Sequence, residues 1–320
     1  DSILSDIPGT FPNLNVLDLS YNALTYVPDF SELLHLEDLI LRNSDFSAAD
    51  LDDKGVSAIW GNILKLPATL THLNLGNSAI DGLIPDELNS TLFPVLNYLR
   101  LSFNGLDDEV PEALFEFPEI NYLSFHQNEF SDLPSTISSD SLETLYLSKN
   151  QFEVTVPKMD MPSLKDFGLY RNDFSGTLDF TNLGSLEWVS AFDNDIELML
   201  FDADKEYLNL KSVWMYENNL GMTFSEITEI MPTSVQTLSL YSNSNMSSSS
   251  LDGIEKLDIL MYLYASGVNL TGAVDLSKNV NLVEFDLSNN QLTGTLDFTN
   301  LDSLAWVTAS NNEIDSIVFD

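Results

Sequence analysis

The sequence predicts an α/β solenoid built on about 13 short parallel strands, and three observations predict it. One pattern, Leu-x-x-Leu-x-Leu-x-x-Asn-x-Leu, recurs along the chain, cleanest in LNVLDLSYNAL (Leu14 to Leu24), LNYLRLSFNGL (Leu96 to Leu106), LETLYLSKNQF (Leu142 to Phe152) and LVEFDLSNNQL (Leu282 to Leu292). With other apolar residues allowed at the leucine places, it starts at residues 14, 36, 70, 96, 120, 142, 164, 186, 210, 235, 260, 282 and 304. Two near-copies, TLDFTNLGSLEW (Thr177 to Trp188) and TLDFTNLDSLAW (Thr295 to Trp306), lie 118 residues apart. A fixed period of this length is the mark of an array that grows by adding units.

Each unit supplies one strand. Apolar residues at its fourth and sixth places alternate with a period of two, so both side chains point inward and the residues between them outward. Most strands return every 22 to 26 residues. That interval requires parallel neighbours, with the rest of each turn crossing back over the other face. The asparagine of each unit (Asn22, Asn104, Asn128, Asn150, Asn172, Asn194, Asn218, Asn290, Asn312) is expected to turn its amide inward where the strand bends away. Left unpaired, each buried backbone group there would cost about 1–3 kcal/mol. Ser44, Ser78 and Val268 replace it and should weaken the series locally.

This pattern resembles the leucine-rich repeat over essentially the whole chain. The resemblance implies a right-handed solenoid, or horseshoe, in one domain over residues 1–320, with a concave parallel sheet and an irregular or short-helical convex side. Stretches such as DGLIP (Asp81 to Pro85), with prolines recurring at Pro111, Pro134 and Pro157, resemble the plant-type, extracellular subclass; Asp179, Asp275 and Asp297 occupy the proline slot in other units. The long step from Leu36 to Leu70 holds an insertion whose apolar spacing predicts a convex helix over 52–64, and FSEITEIM predicts a shorter one. Residues 164–202 and 282–320 match at 21 of 39 positions, which implies duplication of a five-repeat block. Neither end shows a capping unit, and the cysteine-paired caps of plant-type relatives are missing. The expectation is a chain that continues, or ends that stack on further copies or flanking domains.

Composition narrows the function. Twelve Lys and Arg stand against 50 Asp and Glu, a formal charge of −38 that disfavours nucleic acid and anionic lipid as partners. Zero cysteines exclude thiolate metal sites and a cysteine nucleophile. No apolar run approaches the ~18–20 residues of a membrane span.

The second, third, fifth, seventh and eighth places of each unit should face solvent on the sheet. They hold nine of the 11 tyrosines and three of the four tryptophans. They also hold six of the 12 basic residues but only ten of the 50 acidic ones. Strand propensity accounts for part of the aromatic bias. An exposed aromatic row more specifically marks an interaction surface. The candidate ligand-binding residues are Tyr98, Arg100, Phe103, Tyr122, His126, Tyr146, Lys149, Tyr170, Arg171, Trp188, Phe192, Lys211, Trp214, Tyr216, Tyr241, Tyr262, Tyr264 and Trp306.

Other motifs carry less. DADKE (Asp202 to Glu206) opens like a calcium loop, but Tyr207 occupies the glycine slot and Val213 the closing acid slot. Asp107, Asp108 and Glu109 could hold calcium loosely; no other metal or cofactor is expected. His126 falls between Ser102 and Ser148 on adjacent strands, yet no acid occupies the place that would orient it as a base. Asn89, Asn245 and Asn269 begin glycosylation acceptor sequences. The expected function is a non-catalytic extracellular or cell-surface recognition or adhesion module that binds a protein or polysaccharide on its aromatic face. The alternatives are a filament or matrix subunit and, more weakly, an inhibitor of secreted hydrolases.

Overall fold

The computed structural model describes residues 11–202 and 207–319. The chain forms two compact units, one up to Leu164 and one from Lys165. Each is built on a ladder of three-residue parallel strands. The first unit has Val16–Asp18, Asp38–Ile40, His72–Asn74, Tyr98–Arg100, Tyr122–Ser124 and Thr144–Tyr146. The second has Asp166–Gly168, Trp188–Ser190, Ser212–Trp214, Thr237–Ser239, Tyr262–Tyr264, Glu284–Asp286 and Trp306–Thr308. These are the strands the 13 pattern starts predict, and together they make the chain a leucine-rich-repeat solenoid.

Register within each ladder is residue for residue. Tyr98 pairs with Tyr122, Leu99 with Leu123 and Arg100 with Ser124, and the same alignment holds at Trp188, Ser212 and Thr237. The apolar places are sealed: Leu96, Leu99 and Leu101, like Leu210 and Val213, are fully buried. Because side chains in one place stack turn on turn at the ~4.8 Å strand spacing, each ladder reads as a set of columns.

The asparagine column holds the turns in step. Asn128 donates to the carbonyl of Phe125 in its own turn (2.9 Å) and to that of Leu101 in the preceding one (3.0 Å), and its Oδ1 accepts from Leu106 N–H (3.2 Å). Asn194 repeats the arrangement with Ala191, Leu169 and Phe174. Asn243, which the sequence reading did not include, does the same with Leu240, Met215 and Leu220 and is fully buried. Ser44 and Ser78 are partial substitutes, each sending its hydroxyl to the Leu41 carbonyl at 2.8 and 3.1 Å. Val268 supplies no donor, although its own N–H still reaches Asn290 Oδ1 at 3.1 Å.

The residue before the asparagine place is left-handed in every one of the 13 turns. From Tyr21 to Asn311 the non-glycine examples have φ between 53° and 62°, and Gly267 has φ 69°. This conformation costs a non-glycine residue about 1–2 kcal/mol. It turns the chain so that the asparagine points inward. It also leaves an N–H free to bond across turns, as in Phe103 N–H to His126 O (2.8 Å) and Asp193 N–H to Tyr216 O (3.0 Å).

Beyond the bend, the return segments are more regular than expected. Short parallel strands pair turn to turn, including Gly105–Glu109 with Glu129–Asp132 and Ser175–Asp179 with Asp195–Leu200. The predicted helix over 52–64 shrinks to Trp60–Ile63. Upstream of it Asp52 accepts from Lys54 N–H (2.8 Å) and Val56 N–H (3.0 Å), and Gly55 takes φ 84°, so a tight turn replaces the first helical turns. The helix predicted from FSEITEIM is present as Phe224–Ile230, opened by a reciprocal cap between Thr223 and Glu226.

The aspartates in the proline slot also have a local reason. Asp179, Asp275 and Asp297 each accept from the N–H two residues on, at 2.9, 3.0 and 2.8 Å, starting by side-chain hydrogen bond the turn that proline would start by its ring. The near-copies echo each other here. Strand Ser175–Asp179 shifts register between Gly176 and Thr177, and strand Gln291–Asp297 between Gly294 and Thr295, 118 residues later.

Replacing Asn128 by alanine takes the side-chain acceptor from Leu106 N–H, while the Phe125 and Leu101 carbonyls each keep one donor, from Asn150 and Asn104. The expected loss in urea unfolding is about 1–3 kcal/mol. A loss indistinguishable from that of Glu119→Ala, at an exposed place, would mean that the column does not hold the turns. Val268→Asn restores the missing donor and should raise stability by about 1 kcal/mol.

Candidate ligand-binding face

The solvent side of each ladder is where the columns become chemistry. In the first unit His72, Tyr98 and Tyr122 occupy one place in three successive turns. Their rings stack at 3.9 and 4.2 Å with planes within 9°. Tyr146 closes the row edge-on at 6.0 Å from Tyr122. In the second unit Tyr170, Phe192, Tyr216 and Tyr241 form an unbroken stack of four at 4.5, 4.3 and 4.3 Å. Trp214 lies across from Tyr264 at 6.2 Å and meets Tyr216 edge-on. The inner rings, Tyr98, Phe192 and Tyr216, spend both faces on their neighbours and offer only their edges.

The remaining predicted residues separate by environment. Trp188 is half-buried, in register with Asp166 and Ser212, whereas its counterpart Trp306 is 46% exposed. Tyr262 is half-buried beside Tyr264, whose hydroxyl donates to Glu284 Oε2 at 2.8 Å. Burial first, and then Glu284, push that phenol up to about 12. Arg171 forms an exposed ion pair with Asp193 at 3.7 Å, a contact of little energetic weight. Lys211 is exposed. Phe103 lies edge-on to His126 at 5.1 Å.

Both histidines of the ladder face, His72 and His126, lie in the first unit. His126 is pushed down to about 4 by burial, then by Lys149 and Arg100, so it is neutral at physiological pH. His72 is lowered too, by burial against the partial opposition of Asp38. The sequence reading omitted His72 from the candidate residues, along with Tyr21, Arg42, Asn74 and Gly76, which share a cavity of about 240 Å³ with Arg100 and Phe103. The available signal was positional. His72 sits in the same place as Tyr98 and Tyr122, but only the register shows that a column is continuous.

The other motifs resolve as follows. The amide nitrogen of Asn269 donates to Ser244 and Met246 carbonyls at 3.1 and 2.8 Å. That of Asn89 donates to Asp86 O at 2.9 Å, and that of Asn245, which is exposed, to Asn219. Ser102 Oγ is engaged with Ser124 Oγ at 2.5 Å, and Ser102 and Ser148 are both buried. Asp107 has its carboxyl raised by burial, Asp108 and Asp81. No group of three or more His, Asp and Glu side chains among the described residues is arranged to hold a metal ion. Residues 203–206 of the DADKE motif lie outside the described residues. No helix among the described residues is long and apolar enough to cross a membrane.

Comparison with known proteins agrees with this architecture. A family model described as Leucine Rich Repeat matches residues 281–302. Receptor-like protein 18 of Arabidopsis thaliana is 28% identical over 208 residues, which is 60% of this chain and 24% of that protein. Cuscuta receptor 1 of Solanum lycopersicum is 29% identical over 147 residues, 45% of this chain and 12% of that protein. The chain therefore spans a quarter or less of the length of these relatives. Among solved structures, the plant peptide hormone receptor RGFR1 in complex with RGF2 aligns with 95% of this chain and 56% of its own, at TM-score 0.58 and 23% identity. The APL1 leucine-rich repeat domain aligns with 97% and 78% at TM-score 0.68 and 19% identity. At these identities the structural likeness speaks to the fold.

The depressed His126 has a pH consequence. Its folded pKa, about 4, lies below the unfolded value of 6.5, so the unfolded chain takes up the proton first as pH falls. The cost to stability is absent above pH 6.5, grows down to about 4 and then levels off. His126→Gln should be less sensitive than the parent to acid within that window, measured by urea midpoints from pH 7 to 4. Parallel curves would show that the imidazole is not held neutral. Within the stack of four, Tyr216→Ala removes two ring contacts and Tyr170→Ala one within its unit. At about 0.5–1.5 kcal/mol per aromatic pair, the central substitution should be the more costly in the same assay.

Proposed function

Because this chain is a leucine-rich-repeat protein whose repeats resemble the plant type, we propose that it is a non-catalytic extracellular recognition module that binds a polypeptide along the solvent face of its strand ladders. One observation carries the reading: in a chain of charge −38, the ladder face concentrates tyrosine, tryptophan and half of the basic residues. Forty of the 50 acidic residues lie elsewhere and serve solubility. Tyrosine and tryptophan give large, rigid contact area with a polar edge, the composition that contact surfaces enrich. Its receptor-like relatives and the hormone-bound neighbour support a protein ligand.

The ring geometry favours a polypeptide over a polysaccharide. Sugars pack on open aromatic faces, and the inner rings of both stacks, Tyr98, Phe192 and Tyr216, have neither face open. Edges and hydroxyls remain for backbone amides and side chains. The parallel register repeats such edges at each turn, which suits an extended chain laid across successive strands.

Selection of a displayed random-peptide library on the immobilised protein tests this reading. Selected peptides should bind at least about tenfold more weakly to a Tyr146→Ala, Tyr170→Ala, Trp214→Ala variant, a loss of about 1.4 kcal/mol or more. Glu229→Ala, away from the ladder, should leave them unchanged. Peptides indifferent to the triple substitution, in a variant that keeps its circular dichroism, would overturn it. So would a polysaccharide panel that is retained where peptides are not.

A further inference from the structure

The step from Leu36 to Leu70 is 34 residues, against 22 to 26 in the other turns. Its extra length lies on the return side, away from the ladder face, where residues 51–57 form a tight hairpin. Leu51 bridges Ser57 antiparallel, and the Asp52 carboxylate accepts from Lys54 and Val56 N–H inside the loop. The hairpin docks on the next return segment: Val56 bridges Leu83, and Leu83 N–H donates to Gly55 O at 3.0 Å. Gly82 permits this approach. It has φ 81°, and a Cβ there would collide with the Gly55 carbonyl oxygen.

A groove of about 600 Å³ runs between this hairpin, the short helix Trp60–Ile63 and residues 83–87. That is the size of sites that receive small molecules or peptide side chains. Its floor is apolar and closed, with Trp60 and Ile84 only 1% and 5% exposed and Pro85 buried beside them. Leu51, which lines the same space, is 49% exposed, a large apolar side chain left against solvent. The helix side is low at Gly61, where an added Cβ would meet nothing within 4 Å. The Trp60 indole N–H is buried and has no hydrogen-bond partner. Shielded from solvent, it reports on the floor without being a contact for anything in the groove.

The margins are acidic. Asp50 and Asp52 come from the hairpin and Asp86 and Glu87 from the return segment, against one basic residue, Lys54. Asp52 is occupied by its own turn. Asp50, Asp86 and Glu87 are exposed, and none of them makes an ion pair among the described residues. An apolar floor between free carboxylates fits one kind of side-chain pattern. Lysine and arginine lay their methylene stems along apolar surface and keep their charged heads in water, where these carboxylates stand. The field of a chain with charge −38 draws a basic partner in from a distance, and the floor gives its apolar side chains a place to leave water.

We propose that this groove docks a short segment of a second protein in which apolar side chains are flanked by lysine or arginine. The site is separate from the ladder face and does not rest on the peptide-binding reading above. It would let the solenoid hold one ligand on its strands and a different, basic partner on its return side.

The test uses the whole ¹⁵N-labelled chain and follows the Trp60 indole N–H, one of four tryptophan signals, identified by its loss in Trp60→Phe. The probes are three tetrapeptides blocked at both ends: Lys-Leu-Leu-Lys, Lys-Ser-Ser-Lys and Glu-Leu-Leu-Glu. Saturable movement is expected with Lys-Leu-Leu-Lys, at least about tenfold tighter than with either of the others. Asp50→Asn, Asp86→Asn and Glu87→Gln together should weaken that binding about tenfold. The same three charges removed from the second unit, by Asp173→Asn, Asp195→Asn and Glu197→Gln, should change it by less than about twofold, because distant exposed charges are screened. Gly61→Phe should block the groove while circular dichroism and the urea midpoint stay those of the parent.

No saturable movement with Lys-Leu-Leu-Lys would overturn the proposal. An equal response to Lys-Ser-Ser-Lys would reduce the effect to charge attraction, and an equal response to Glu-Leu-Leu-Glu would reduce it to apolar adhesion; either sinks the site. So would equal weakening by the two neutralised sets. The Tyr146→Ala, Tyr170→Ala, Trp214→Ala variant should bind Lys-Leu-Leu-Lys as the parent does. Loss of binding there would move the peptide to the ladder face, ending the groove proposal and leaving the face standing.

Discussion

The inward amide of the repeated asparagine is the interaction on which the rest of this structure depends. At every turn the strand ends and the chain must bend away, exposing carbonyls and N–H groups that no strand partner can reach. One primary amide has two donors and an acceptor, enough to serve its own turn and the one before, as Asn128 and Asn243 do. The left-handed residue ahead of it is the cost of aiming that amide, and it recurs in all 13 turns, even where the residue is as unsuited as Phe103 or Glu217. Where serine stands in, the bonds are fewer. Where Val268 stands in, the donor is lost, although the N–H at that place is still satisfied by the next turn. The column tolerates such gaps because each turn is held by both neighbours.

Exact register is what turns a repeat into a surface. With neighbouring strands aligned residue for residue, any side-chain type that recurs at one place becomes a continuous column at the strand spacing. Four aromatic residues at one place make the Tyr170 to Tyr241 stack; three make the His72 to Tyr122 row. Pairing ring to ring offsets the exposure of so much aromatic area and also changes what the surface offers. A row of isolated rings would present faces, whereas a stacked row presents edges and hydroxyls. The same register brings Arg42 and Arg100, each ordinary within its own turn, to opposite sides of a glycine in the turn between.

Charge and conformation cooperate on that face. Burial and two nearby basic side chains keep His126 neutral across the physiological range, so it adds no charge to that face. On the return side of each turn, aspartates open turns by accepting backbone N–H groups. Forty of the 50 acidic residues lie off the ladder face, and some of them have this structural work.

The sequence by itself determined the strands, their number, their parallel direction and the inward leucine places, because a period-two apolar pattern recurring at a near-constant interval has one economical way to be buried. It also placed the aromatic residues on one side of the strands and predicted the capped helix at Phe224–Ile230, but it expected solvent at places where Ser102, Ser124, Ser148, Ser190 and Ser239 are buried. It overreached at 52–64, where apolar spacing suggested a helix and a single Asp-Gly turn prevented most of it. Only the tertiary structure decided which faces of the rings remain open, that Asn243 joins the column, and that an arginine Nε lies buried without a partner beside Gly76. The reason is physical. Which way a side chain points follows from its place in its own turn, but whether a ring, an amide or a guanidinium finds a partner depends on the residue in the same place one turn away. That neighbour lies some twenty residues distant in sequence and is brought into contact only by the register.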